Sequence, residues 1–339
     1  MKYFVWLTLI LSSLLCRPQS VTMRVGLIDF FGTSGIDIAA LVAVFPLHPG
    51  QTTSETAFDD LKQQIDSAVV RVTGRPATDF SAVCCDLGGG LMIYIGLPGK
   101  NSRQLPHLPP PTGSTCLPLS AVDLYSKMLD AEYTAVRQND AGEDYSKGYA
   151  LGHNFHLRER QLAMHDYAVR HATLLRTVLT DCRKAKNRQA AAQILGYATP
   201  SMIQVRALVR ASKDSDSVVR NNAVRALWAI ASSGTQVRRS IPAREFVPML
   251  NSDKWEDRNK AGLLVTALTE TRDPKLLSEL RAETLDSLIE MARWHNAGHA
   301  DPYRELLGRI AGLDEDSIHD LIANGDVDML ISTAAKGPQ

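Results

Sequence analysis

Small and aliphatic positions recur at helical spacing through the second half of the chain. The segments RQAAAQIL from Arg188, RNNAVRAL from Arg220 and RNKAGLLV from Arg258 align without gaps. Each places Ala three residues after the arginine and an aliphatic residue seven after it, which is one face of a helix. A weaker copy starts at Arg304, with Leu307 and Ala311, and the four starts lie 32, 38 and 46 residues apart. Amphipathic partners precede them at 171–182, 201–213, 242–250 and 283–294. One such helix pair cannot bury its own apolar stripe, so pairs must stack on their neighbours, with about three or more needed for stability. Upstream, a first helix is expected over 124–137. Residues 139–153 are polar and glycine-containing, which predicts a surface loop, and Phe155 opens the next helix.

The pattern differs over residues 23–99. Residues 24–31 (RVGLIDFF) are apolar and partly β-branched, a strand ending at Gly32. Residues 36–45 are helical in composition and stop at Pro46. Thr53 or Ser54 is then placed to cap a longer helix through Val72, whose Phe58, Leu61, Ile65, Val69 and Val72 share one face. Two further strands are expected at 79–85 and 91–97. Between them DLGGG at 86–90 supplies the positive φ values of a tight hairpin. Those glycines lack the lysine and following helix of a phosphate loop. Residues 99–119 hold Pro106, Pro109, Pro110, Pro111 and Pro118, a composition that favours extended polyproline geometry and predicts a semi-rigid spacer.

Two resemblances follow from these segments. DSDSVVRNNAVRALWAIA at 214–231 is similar to the second helix of a HEAT repeat. IDFFGTSGID at 28–37, FPLHPGQ at 45–51 and TGRPATDFSAV at 73–83 resemble a POTRA domain, the βααββ module of outer-membrane assembly and secretion proteins. No β-barrel follows the module in this sequence, so a role in barrel assembly is not carried over. The expected fold is therefore multidomain, α+β and α: a POTRA-like domain at 23–99, a Pro-rich linker at 100–119 and an α-solenoid of HEAT-like repeats at 120–335.

Each resemblance implies a surface. In POTRA modules the second strand commonly lies at the sheet edge, where free N–H and C=O groups accept a partner strand. Here that strand is 80–85, with Phe80, Ala82 and Cys84 as candidate contacts. The alternative is an edge covered by the domain's own linker. Arg188, Arg220 and Arg258 are candidates for gripping an acidic partner. The HEAT resemblance also implies a structural ladder, in which each arginine pairs with an aspartate of the neighbouring unit; Asp216 and Asp257 are available.

Residues 1–20 have the pattern of an export signal: Lys2, an apolar run over 3–15 and polar residues from Arg17. Thirteen helical residues cover about 20 Å, short of the ~30 Å needed to span a membrane. Leu15 stands where a lipobox takes a small residue, so simple secretion is favoured over lipid anchoring through Cys16. The mature chain is expected to be soluble, periplasmic or secreted. Four cysteines then remain, Cys84, Cys85, Cys116 and Cys182. The best geometric candidate for a bridge joins Cys84 or Cys85 to Cys116, although ordinary buried thiols are the default.

Charge adds little direction, because 37 basic residues balance 37 acidic ones. That balance argues against nucleic acid, whose binders usually carry a basic excess. Residues 151–190 are locally basic, with eight Lys or Arg against three acids. Such a patch permits contact with an acidic partner or membrane headgroups, while a merely solvated helix face is the simpler account. No cysteine or histidine spacing suits a metal, and Asn139, Asp140, Glu143 and Asp144 miss the calcium-loop pattern. No catalytic motif appears either. The function expected is thus a non-catalytic scaffold for protein partners, without cofactor, nucleic acid or small-molecule substrate. The alternative is a lyase or hydrolase whose site lies between the two domains, using His165 and Asp166.

Overall fold

The computed structural model describes residues 22–54, 57–86 and 88–337, which form two compact units, up to Ser102 and from Arg103 onward. The expected export signal at 1–20, with Cys16, lies outside the described residues.

The first unit is a four-stranded mixed sheet with two helices. Strand β1 (Thr22–Phe31) leads to helix α1 (Ile38–Val44), β2 (Thr52–Ser54), α2 (Phe58–Thr73), β3 (Asp79–Val83) and β4 (Leu91–Gly96). The strand order is β2-β1-β4-β3, with β1 and β4 parallel and the other pairs antiparallel. Asp37 caps α1 by accepting the Ala40 N–H at 3.0 Å. Leu61, Ile65 and Val69 of α2 are buried against Val25, Leu41, Ile93 and Ile95, with Phe58 and Val72 at the margin of that core. The expected helical face is the observed one.

Thr53 and Ser54 do not cap α2. They pair with Met23 and Thr22 as β2, and the residue at the N-cap of α2 is Ala57. The β-branched pair Thr52-Thr53 suits a strand, and β1 extends far enough back to receive it.

In the loop after β3, Asp86 accepts the Gly88 and Gly90 N–H groups at 2.9 and 2.7 Å, and its own N–H donates to the Gly90 carbonyl. Gly26 sits where β1 shifts register against β4, and a Cβ there would overlap the Asp86 carboxylate. Just before the loop, Cys84 and Cys85 are bonded to each other across a cis peptide. The expected bridge from Cys84 or Cys85 to Cys116 is therefore not formed, because each thiol is taken by the other. β3 ends at Val83, so strand alternation does not govern these two residues.

The second unit is helical: α3 (Leu119–Arg137), α4 (Phe155–Asp181), α5 (Ala185–Leu195), α6 (Met202–Ala211), α7 (Ser217–Ala231), α8 (Trp255–Thr269), α9 (Pro274–Ala292), α10 (Ala297–Ile310), α11 (Glu315–Ala323) and α12 (Val327–Lys336). A short hairpin, β5 (Glu143–Asp144) with β6 (Leu151–Gly152), separates α3 from α4. Four pairs stack in succession. The second members α5, α7, α8 and α10 pack each on the next, and each also packs on its own first member.

Two first members depart from ideal helix geometry. α4 carries a non-helical residue at His171, where the first repeat was expected to begin. The third pair opens with a 3-10 helix, Ala243–Asn251, containing Pro248; proline lacks the N–H and crowds the preceding turn.

Gly262 shows how closely the pairs approach. A Cβ at this position of α8 would lie 2.5 Å from the ring of Tyr303 on α10. Tyr303 is fully buried, and its hydroxyl donates to the Arg258 carbonyl at 3.0 Å. Gly262→Ala should therefore destabilise by about 1–3 kcal/mol through overpacking, outweighing the ~1 kcal/mol helix-propensity gain of alanine. Urea unfolding reads the sign directly. A more stable variant would show that Tyr303 moves freely.

Candidate functional site

The three aligned arginines occupy one repeated environment. Arg188 Nη1 donates back to the Cys182 carbonyl at 3.0 Å, while Nε and Nη2 hold Asp214 at 2.8 and 2.9 Å. Arg220 repeats this one unit later: Nη1 to the Asp214 carbonyl at 3.0 Å, Nε and Nη2 to Asp257 at 2.9 and 3.1 Å. Arg258 donates to the Ser252 carbonyl at 2.6 Å and to Glu290 at 2.5 Å. In each case the carbonyl lies six residues before the arginine, in the turn that joins the two helices of a pair. Every guanidinium thus ties its own turn to an acid of the next unit.

Burial decides between the two readings of these residues. The arginines are only 2, 3 and 0% exposed, so none is available to a partner. They form the ladder, and their role as partner contacts is withdrawn. Asp257 takes the expected part. Asp216 does not: it caps α7 through the Val219 N–H and accepts from Gln189, leaving Asp214 to Arg188. Arg304 lies outside the ladder, bound to the Ala292 carbonyl and to Asp301.

At the sheet edge, β3 pairs with β4 and with no other strand among the described residues. Phe80 meets Phe58 edge-on at 5.9 Å, and Phe80 and Cys84 pack against the core. Ala82 shares the side of Phe80 by alternation along β3. Phe80 and Cys84 are thus engaged with the core, and Ala82 is half-buried.

The Pro-rich segment is not a free spacer from Arg103 onward. The Arg103 N–H donates to the Asn251 carbonyl at 2.8 Å, and its carbonyl accepts the Asp253 N–H at 2.8 Å. Leu108 donates to Lys213, and the Gly113 carbonyl accepts from Arg183. Thr115 and Leu117 donate to the side chains of Asp181 and Asn187, and Cys116 is disulfide-bonded to Cys182. The strap therefore crosses the turns of the third, second and first pairs in that order, opposite to their order in the chain. Prolines cannot donate, so the residues between them supply the N–H groups. His107, within the strap, has its pKa lowered by partial burial and by Arg220.

A second buried cluster escaped sequence reasoning. Arg225 of α7 holds Glu143 of β5 at 2.6–2.8 Å and reaches Glu132 of α3 at 3.5 Å. Glu143 also accepts from Tyr145 and Gln161, both at 2.8 Å. Burial alone would raise the Glu143 pKa, but Arg225 and these donors hold it below the usual range. Glu132, with fewer partners, is pushed up by burial. Nearby Lys260 is pushed down to about 8, mainly by burial and then by Arg225. The segment expected as a surface loop is thus a hairpin pinned by its one buried carboxylate, with Tyr149, Ala150 and Leu151 also buried.

The structure does not bring His165 and Asp166 together. His165 Nδ1 lies 2.7 Å from the Tyr197 carbonyl and its ring stacks on Tyr149, while Asp166 faces solvent. Among the described residues no group of three or more His, Cys, Asp or Glu is placed to hold a metal ion, and no helix is long and apolar enough to cross a membrane.

No protein-family model matches the chain, and no curated protein matches it. Among solved structures it is similar to a computationally designed armadillo repeat protein for modular peptide recognition, at 13% identity and TM-score 0.38, covering 65% of this chain and 100% of that one. A second designed armadillo repeat protein is 15% identical over 53% of this chain and 92% of its own, with TM-score 0.34. An engineered protein of structural-genomics origin is 17% identical, with TM-score 0.35, over 53% and 91% of the two chains.

Proposed function

We propose that this chain is an exported, non-catalytic scaffold that binds protein partners in the cell envelope. Its first unit acts as a POTRA-like head and its second as a HEAT-like stack. The observation that carries the reading is β3, an edge strand whose outer side is joined by no other strand among the described residues. An incoming strand there gains a ladder of backbone hydrogen bonds. The stack supports the same reading, because its ladder arginines are spent internally and leave the remaining helix faces to vary with the partner. Export is supported by the two cysteine pairs, since disulfides persist in oxidising compartments.

The test is crosslinking of the full chain in native envelopes, followed by mass spectrometry and hydrogen exchange on the recovered complex. The expected result is one reproducible protein partner whose binding protects the β3 amides. A partner that leaves β3 exchange unchanged removes the edge-strand part; finding no partner across growth conditions removes the scaffold. Fractionation and N-terminal sequencing check export. A cytoplasmic chain that keeps residues 1–20 would overturn it.

A further inference from the structure

The proline strap does not lie flat on the stack. Between it and helices α4 and α6 is a pocket of about 430 Å³, within the ~300–1,000 Å³ range of small-molecule sites. Pro109, Pro110 and Pro111 form one wall, and Leu108, Leu179 and Ala207 add further apolar surface. The wall is preformed, because hydrogen bonds from Leu108 to Lys213 and from Arg183 to Gly113 hold it at either end. The Cys116–Cys182 bond fixes it just beyond.

Four charged residues line this space, and they are not equivalent. Asp214 is held by Arg188, and Asp181 accepts the Thr115 N–H at 2.8 Å, which lowers its pKa. Both acids are committed. Arg176 and Arg210 make no ion pair among the described residues; Arg176 donates only to the Thr173 hydroxyl. Arg188 balances the charge of Asp214, and Asp181 keeps its single negative charge, so Arg176 and Arg210 together leave the cleft with a net positive charge that its low-dielectric walls focus. Guanidinium forks match carboxylate and phosphate oxygens, and the proline and leucine walls suit an apolar body.

The geometry points to a binding site for a compact organic anion, a carboxylate or phosphate monoester on an apolar body, under the strap and held by Arg176 and Arg210. The site is independent of β3 and of any protein partner.

Calorimetric titration of the full chain with phenylacetate and with phenyl phosphate tests it, with benzyl alcohol as the neutral control. Saturable binding of at least one anion is expected, weakened tenfold or more in Arg176→Gln/Arg210→Gln and absent for the alcohol. The two probes distinguish carboxylate from phosphate. Should that variant fail to fold, Ala207→Met fills the pocket and should abolish binding, while added salt should weaken it in the unaltered chain. No saturable binding of either anion overturns the assignment. So does equal binding of the alcohol, or binding undiminished by these changes.

Discussion

Replacing Arg220 with methionine should cost about 3–5 kcal/mol, the range for breaking a buried ion pair by removing one partner. Arg220 and Asp257 are 3 and 1% exposed, and the guanidinium meets the carboxylate through two parallel bonds. Without the arginine, Asp257 keeps only the Ser252 hydroxyl at 2.9 Å, and the Asp214 and Ser215 carbonyls lose their donor. Arg220→Lys should fail nearly as badly, because a single ammonium cannot replace a two-pronged grip plus a backward reach. Asp257→Leu alone should also be costly. The double variant Arg220→Met/Asp257→Leu should lose far less than the two singles combined, since no buried charge is then left unpaired. Urea unfolding of the four proteins closes the cycle. Strict additivity, or a single-variant loss below about 1 kcal/mol, would mean the pair is solvated and the ladder is not what joins the units.

The ladder matters for function because of where it places charge. Each of the first three units uses its regular arginine to fasten its turn to the next unit, so stacking and turn geometry depend on the same side chain. If the stack binds the protein partner proposed above, specificity for it would come from residues that do not repeat. The hairpin pinned by Arg225 and Glu143 does not repeat, and neither do Arg176 and Arg210, which make no ion pair among the described residues and line the anion pocket instead.

How far the sequence reaches follows from the range of each interaction. The arginine and alanine spacings are local, a helix face read at threes and fours, so the stack and the ladder positions were legible. So was the core face of α2. The choice between Asp214 and Asp216 was not, because both flank the same turn and only the need to cap α7 removes one of them. Glu143 was read as solvent-facing because its partner Arg225 lies 82 residues away. Nothing within residues 139–153 marks one acid as different from the rest. The strap failed for a related reason. Proline content predicts extended geometry correctly, but not whether an extended segment finds a surface to lie on. Cysteine pairing could not be deduced either: Cys182 approaches Cys116 only because the strap runs backward along the stack.

That backward course makes the Cys116–Cys182 bond the second large lever. Its partners are 66 residues apart in sequence; closing a loop of this length removes denatured-chain entropy worth about 4 kcal/mol in the polymer account, within the ~2–5 kcal/mol seen when native bridges are removed. Cys116→Ser/Cys182→Ser should therefore lower stability by roughly that amount. The loss should not spread evenly along the strap. The amides of Leu117, Thr115 and Leu108, whose bonds to the first and second pairs lie nearest the bridge, should exchange much faster. Arg103 is held by two backbone bonds to the third pair and should stay closer to its original protection. The same variant should lose anion binding beneath the prolines, because the wall is no longer fixed beyond Gly113. Uniform exchange along 103–117, or a variant as stable as the parent, would show that the strap is held by its hydrogen bonds and that the disulfide only records its position.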